Sequence, residues 1–256
     1  MTDKNTHYSR CNLRAICTLA GGDKCAPVCP SFVALHGFNG VGGRVGAANV
    51  PDEYRNITVA DSPVRSEQTD AYALVDNYVA KLKRQFEADS PRIKSLYLHS
   101  LAPGTGKTTT AAAILNEYIN VNYVGSLKRG ITPLERPAYF LDVNAWQTLY
   151  LGFNRSHSPQ SVAEPLAAEY YAQEQRAKLA PFTVLDDVGV RSASDAFRSD
   201  FHTVINYRAA NGLATVYTSN VPITELSTIF DARLADRVRD MCVSIAFTGE
   251  SKRGMR

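Results

Sequence analysis

The stretch Ala102-Pro103-Gly104-Thr105-Gly106-Lys107-Thr108-Thr109 constrains this chain more than any other. Gly104 and Gly106 lack a Cβ, so the backbone between them can curl until successive N–H groups face inward around an anion. A helix opening near Lys107 adds the positive end of its dipole to the same spot. Lys107 can then reach the β- and γ-phosphates of a nucleotide, and the Thr108 hydroxyl can bind Mg²⁺. Pro103, Thr105 and Thr109 complete the stretch expected to surround the phosphates. The usual phosphate-loop pattern has a Gly five residues before the second motif Gly, and here Leu101 stands there. The approach to the loop is altered, while the positions that touch phosphate are intact.

Such a loop needs a strand before it and a helix after it. Ser95 to Leu101 reads as the strand, and Lys107 to about Ile119 as the helix. Further strands are expected at Ala138–Leu141, Phe182–Leu185, Ala214–Thr218 and Val243–Phe247. Helices are expected around Asn144–Leu151 and over Ala163–Leu179, Asp195–Ala210 and Ala232–Met241. This alternation predicts an α/β fold, a parallel sheet with helices on both faces. Upstream, Ala71 to Phe86 reads as an amphipathic helix, its apolar positions Tyr72, Leu74, Val75, Tyr78, Val79 and Leu82 falling near helical spacing. Lys81, Lys83 and Arg84 fall on its other face, for which a solvated surface is the plainer reading than a DNA contact.

A second acidic element supports a nucleotide site. Phe182-Thr183-Val184-Leu185 is an apolar strand that runs into Asp186 and Asp187. Carboxylates at the C-terminal edge of a parallel sheet sit where open α/β sheets bind ligands. Asp186 is expected in the Mg²⁺ shell and Asp187 to orient or polarise an attacking water. Glutamate is commoner than aspartate at the second position, which suits a slow or tightly regulated turnover. Asn220 ends a third such strand, with the reach to bond a γ-phosphate or the water.

Residues 1–50 differ in texture. They hold Cys11, Cys17, Cys25 and Cys29, spaced C-x5-C-x7-C-x3-C, and a crowd of glycines from Gly37 to Gly46. Glycine at that density favours turns over a long helix. Four cysteines in a reducing compartment point to a Zn²⁺ site that staples a small module, with His36 or His7 as alternative ligands. Buried free thiols are the other reading, and Cys242 reads as core. Lys4, Arg10, Arg14, Lys24 and Arg44 outnumber Asp3 and Asp23, which keeps a nucleic-acid contact open for this segment. The whole chain carries a net charge of only +3, too small to establish such a partner alone. Met1 to Arg10 is polar, unlike a signal peptide, and no apolar run approaches the ~20 residues that span a bilayer. A cytoplasmic protein with no membrane partner is expected.

With these residues in place, the chain resembles the DnaC/DnaI-type replicative helicase loaders, especially their phage-encoded relatives, within the AAA+ ATPases. The resemblance covers about residues 51–256. It is carried by Pro51-Asp52-Glu53-Tyr54, the Gly104–Thr108 loop, Leu185-Asp186-Asp187-Val188-Gly189 and Arg208 ahead of Thr218-Ser219-Asn220. Arg233-Leu234-Ala235-Asp236-Arg237-Val238 and Gly249-Glu250-Ser251-Lys252-Arg253 complete it. Only 36 residues follow Asn220, too few for the helical lid of AAA+ initiators, so a lid-poor ATPase domain over 51–256 is expected.

The resemblance implies ATP-dependent loading of a replicative helicase onto single-stranded DNA, in the host cytoplasm if the chain is phage-encoded. It makes Asn220 the sensor-1 residue, Arg237 an arginine finger that enters a neighbouring subunit's site, and Arg253 the sensor-2 arginine. A homo-oligomer built through the ATPase domains follows, with residues 1–50 as a partner-docking module. A transposition-helper ATPase working with a transposase is the alternative, and a non-hydrolysing nucleotide-switched adaptor is another.

Overall fold

Short runs dense in Leu, Val, Tyr and Phe lie side by side as β1 (Ser95–His99), β2 (Ala138–Asp142), β3 (Phe182–Asp186), β4 (Ala214–Ser219) and β5 (Cys242–Ala246). In this computed structural model, which describes residues 6–189, 193–228 and 230–251, the strands form one sheet in the order β2-β3-β4-β1-β5. Every neighbouring pair is parallel. Strands buried on both faces need apolar residues at consecutive positions, and β3 and β4 are buried along their whole length. Alternate side chains then serve two cores. Leu96, Leu98, Phe140, Val184 and Val216 point into one, and Tyr97, Tyr139, Leu141, Leu185 and Tyr217 into the other.

The N-terminal segment holds α1 (Thr6–Ser9), α2 (Pro30–His36) and α3 (Gly43–Ala47), all short as the glycine-rich sequence requires. They precede α4 (Thr69–Val79) and α5 (Lys107–Lys128), which with this segment cover the first core. The helix α5 runs nine residues past the expected Ile119. Its last turns hold Asn120, Asn122 and Gly125, which look like helix breakers in sequence. Packing overrides propensity: a Cβ on Gly125 would collide with the Phe86 ring, and Asn120 and Asn122 are buried and bonded to Asn12 and Gln85.

The second core is covered by α6 (Val143–Phe153), α7 (Gln160–Leu179), α8 (Asp195–Ala210) and α9 (Ala232–Met241). Side-chain caps start three of them: Asp142 for α6, Ser194 for α8 and Asp231 for α9. At its centre the Trp146 indole stacks on Tyr170 and donates to the Tyr170 carbonyl. No helix among the described residues is long and apolar enough to cross a membrane.

Leu13, Leu35, Val45, Ala48 and Val50 share the first core with Ile114 and Tyr118 of α5. The Phe140 amide donates to the Ala48 carbonyl, so the chain just before residue 50 lies along the outer edge of β2. Asn116 of α5 donates to the carbonyls of Tyr54 and Ile57, holding the next stretch across the helix.

The four cysteines of this segment, the Zn²⁺ ligands expected from sequence, are free thiols. They come within electrostatic reach of one another: burial pushes the Cys11 thiol up, and Cys17, Cys25 and Cys29 push it further. Yet among the described residues no three His, Cys, Asp or Glu side chains gather as a metal ion requires. Cys17, Cys25 and Cys29 each close a separate turn, on Leu13, Gly22 and Ala26, and Cys17 is exposed. The alternative ligands are engaged elsewhere. His7 Nε2 donates to the Cys25 carbonyl, and His36 Nε2 accepts the Asn12 N–H while its ring packs on Phe32.

Candidate nucleotide site

Parallel pairing in register brings the carboxyl ends of four strands to one edge. Asp142 stands opposite Asp186, Leu98 opposite Thr218, and His99 opposite Ser219. The loop after β1 rises from this edge and turns into α5, with Gly106 as the residue before the helix. Gly104 and Gly106 have φ of 71° and 97°, a left-handed backbone that side chains disfavour. Gly106 is doubly required, since a Cβ there would lie 2.8 Å from the Val64 methyls. Leu101, which replaces the first glycine of the usual pattern, is 81% exposed and leaves the loop undisturbed.

A cavity of about 720 Å³ opens above this edge, a size suited to a nucleotide. Pro103, Gly104, Gly106, Lys107, Thr108 and Thr109 form one wall; Asp186, Asp187, Thr218 and Asn220 form the floor. Pro51, Glu53, Tyr54 and Phe140 stand on the remaining side, with Asp142 and Asn144 between. Thr105 is buried and does not line the cavity.

The polar groups of the cavity bond to one another. Lys107 Nζ donates to Asn220 Oδ1 at 2.8 Å and to the Ala102 carbonyl at 3.3 Å. Thr108 Oγ1 donates to Asp186 Oδ2 at 3.2 Å. Asn144 Nδ2 donates to Asp187 Oδ2 at 2.7 Å. Burial pushes the Asp186 carboxyl up to about 6 against the opposing hydrogen bonds from Thr218 and Thr108; Asp187 and Asp142 push it further the same way. A positive ion brought to this floor would be welcomed by that excess of negative charge.

Sequence therefore located the loop, both aspartates and Asn220, and the fold brings them to one cavity. Arg237 does not join them: it lies on α9, exposed, with Nη1 donating to Asn206 of α8 at 2.9 Å. Arg253 lies outside the described residues. Asp142, Asn144 and Thr218 line the site although sequence reasoning gave them no role. The signal available was position: Asp142 ends β2, Asn144 follows two residues later at the expected helix start, and Thr218 is the last residue but one of β4.

No protein-family model matches the chain, and no curated protein does. Solved structures do. The chain is similar to the crystal structure of DnaI, with a TM-score of 0.54, 23% identity, and coverage of 79% of this chain and 94% of that one. Similarity to the crystal structure of the DnaC helicase loader has a TM-score of 0.52 at 20% identity, covering 77% of this chain and 100% of that one. A third likeness is to the replication initiator DnaA bound to AMPPCP and single-stranded DNA, with a TM-score of 0.51 at 16% identity. It covers 78% of this chain and 51% of that one. At these identities the likeness is one of fold alone, that of a parallel sheet flanked by helices.

Proposed function

We propose that this chain is an ATP-dependent loader that places a replicative helicase on single-stranded DNA. The observation that carries the reading is the convergence of Lys107, Thr108, Asp186, Asp187 and Asn220 on one cavity. It occurs in a fold that spans nearly all of the DnaI and DnaC structures. In this reading the amides of residues 104–108 wrap the phosphates of ATP. Lys107 leaves Asn220 for the β- and γ-phosphates, and the freed Asn220 amide turns to the γ-phosphate or to water. Asp187 orients that water, and Asn144, bonded to its carboxylate, sets where it points.

Mg²⁺ suits the residues present. The Thr108 hydroxyl and the Asp186 carboxylate are hard oxygen donors 3.2 Å apart where the cavity wall meets its floor, and these two would hold it. When bound it would offset negative charge on the phosphate oxygens. Arg237, absent from the chain's own cavity, serves a neighbouring subunit as an arginine finger, and Arg253 acts as sensor 2. Residues 1–50 supply the helicase-docking surface on the 51–256 ATPase unit.

Binding and turnover test the nucleotide step. Wild-type protein is expected to bind Mg-ATP and to hydrolyse it faster with single-stranded DNA; Lys107→Ala loses both. No heat of association with millimolar Mg-ATP would overturn the site. Immobilised protein is expected to retain a purified hexameric helicase and not a transposase, and the reverse result overturns the loader.

A further inference from the structure

Thr218 is 1% exposed, in the middle of the cavity floor, and its hydroxyl is used twice. It donates to Asp186 Oδ1 at 2.6 Å and accepts the Asp187 N–H at 2.8 Å. The next residues continue the contact: the Val188 amide donates to the Thr218 carbonyl at 2.9 Å, and Ser219 Oγ donates to the Val188 carbonyl at 2.8 Å. Strand pairing between β3 and β4 is thereby prolonged, through a side chain, past the last paired residues Leu185 and Tyr217. At this place Asp187 takes φ of 62°, a left-handed backbone unusual for a residue with a Cβ.

We infer that Thr218 is a positioning residue for both aspartates, a single hydroxyl that fixes where each carboxylate faces. By occupying Asp186 Oδ1 it leaves Oδ2 turned toward Thr108. By holding the Asp187 amide it keeps residue 187 in the left-handed turn that carries its carboxylate to Asn144. A hydroxyl is needed because the group must donate on one side and accept on the other. Valine has the same shape and can do neither, whereas serine can do both. The inference rests on the nucleotide reading above and goes beyond it, by giving a role to a residue that acts through the two aspartates it bonds.

Thr218→Val and Thr218→Ser, alongside wild type, test it by two measurements. The first is affinity for a fluorescent ADP analogue with Mg²⁺ and with EDTA. Thr218→Val is expected to keep the EDTA affinity within about twofold and to lose most of the gain that Mg²⁺ gives, while kcat falls about tenfold or more, the effect of a lost bond to a charged group. Thr218→Ser is expected to restore both to within about threefold. A folded Thr218→Val with wild-type Mg²⁺ gain and kcat overturns the inference, as does a serine variant no better than valine. If Thr218→Val does not fold, Thr218→Ala replaces it with the same expectations. Failure of wild type to bind nucleotide at all is a different result, one that removes the site itself.

Discussion

His36 is a base held neutral by its surroundings. Burial lowers its pKa from 6.5 to about 4, with Arg14 adding to the effect, and its Nε2 accepts the Asn12 amide. The folded state binds a proton less well than the unfolded chain. Its stability is therefore complete above pH 6.5 and declines as pH falls toward 4, by roughly 3 kcal/mol over that window for this group. His36→Gln keeps an acceptor for Asn12 and removes the titration. Urea unfolding at pH 7, 5.5 and 4.5 should show a smaller acid loss for His36→Gln than for wild type, and parallel losses would refute the assignment. Sequence offered His36 as a spare zinc ligand, because a histidine near cysteines looks the same whether it faces a metal or an amide. What separates the two is which backbone group comes within 3.2 Å of the ring, and that depends on how residues 11–36 fold back on themselves. The phosphate loop was legible for the opposite reason: its contacts are made by consecutive residues, so spacing alone carries the geometry.

At the scale of elements, period and punctuation placed every strand to within two residues, since β1 to β4 are short, mostly apolar runs, buried over most of their length, that end in polar residues. What sequence could not show is how the segments are fastened together. Arg208, 0% exposed, is the clearest case. From α8 its guanidinium donates to the carbonyls of Ala177, Ala180 and Ala214 and to Thr215 Oγ1, joining the end of α7, the start of β3 and the start of β4. Burial lowers its pKa to about 10, so it remains charged at neutral pH, its charge spread over backbone dipoles. Read along the chain it is a polar residue near the end of a helix, singled out only by its place ahead of Thr218-Ser219-Asn220. Arg208→Met would leave several buried carbonyls unpaired and is expected to cost on the order of 3 kcal/mol or more, roughly 10 °C in Tm. Arg208→Lys, able to reach only part of the set, should fall between. Calorimetric melts within about 2 °C of wild type for the Met variant would show that these bonds carry little.

For the whole molecule the open matter is whether one chain contains a complete site. Its cavity gathers Lys107, Asp186, Asp187 and Asn220, but Arg237 is bonded to Asn206 on a separate surface. If Arg237 completes the site of a neighbour, two defects in different chains should compensate. A Lys107→Ala chain has a dead site and an intact Arg237; an Arg237→Ala chain has an intact site and no finger. Each alone should be nearly inactive, since a trans arginine is worth on the order of 10³–10⁵ in rate. Mixed in equal amounts, random assembly pairs an intact site with an intact finger at about a quarter of junctions, so turnover should recover to that order. Recovery should also disappear on dilution below the concentration at which chains associate. A mixture no more active than its components, under conditions where light scattering shows assembly, would return Arg237 to the plain role its contact with Asn206 already gives it. The same experiment asks whether nucleotide state can report on assembly, because a site finished by a second chain turns over only where two chains meet.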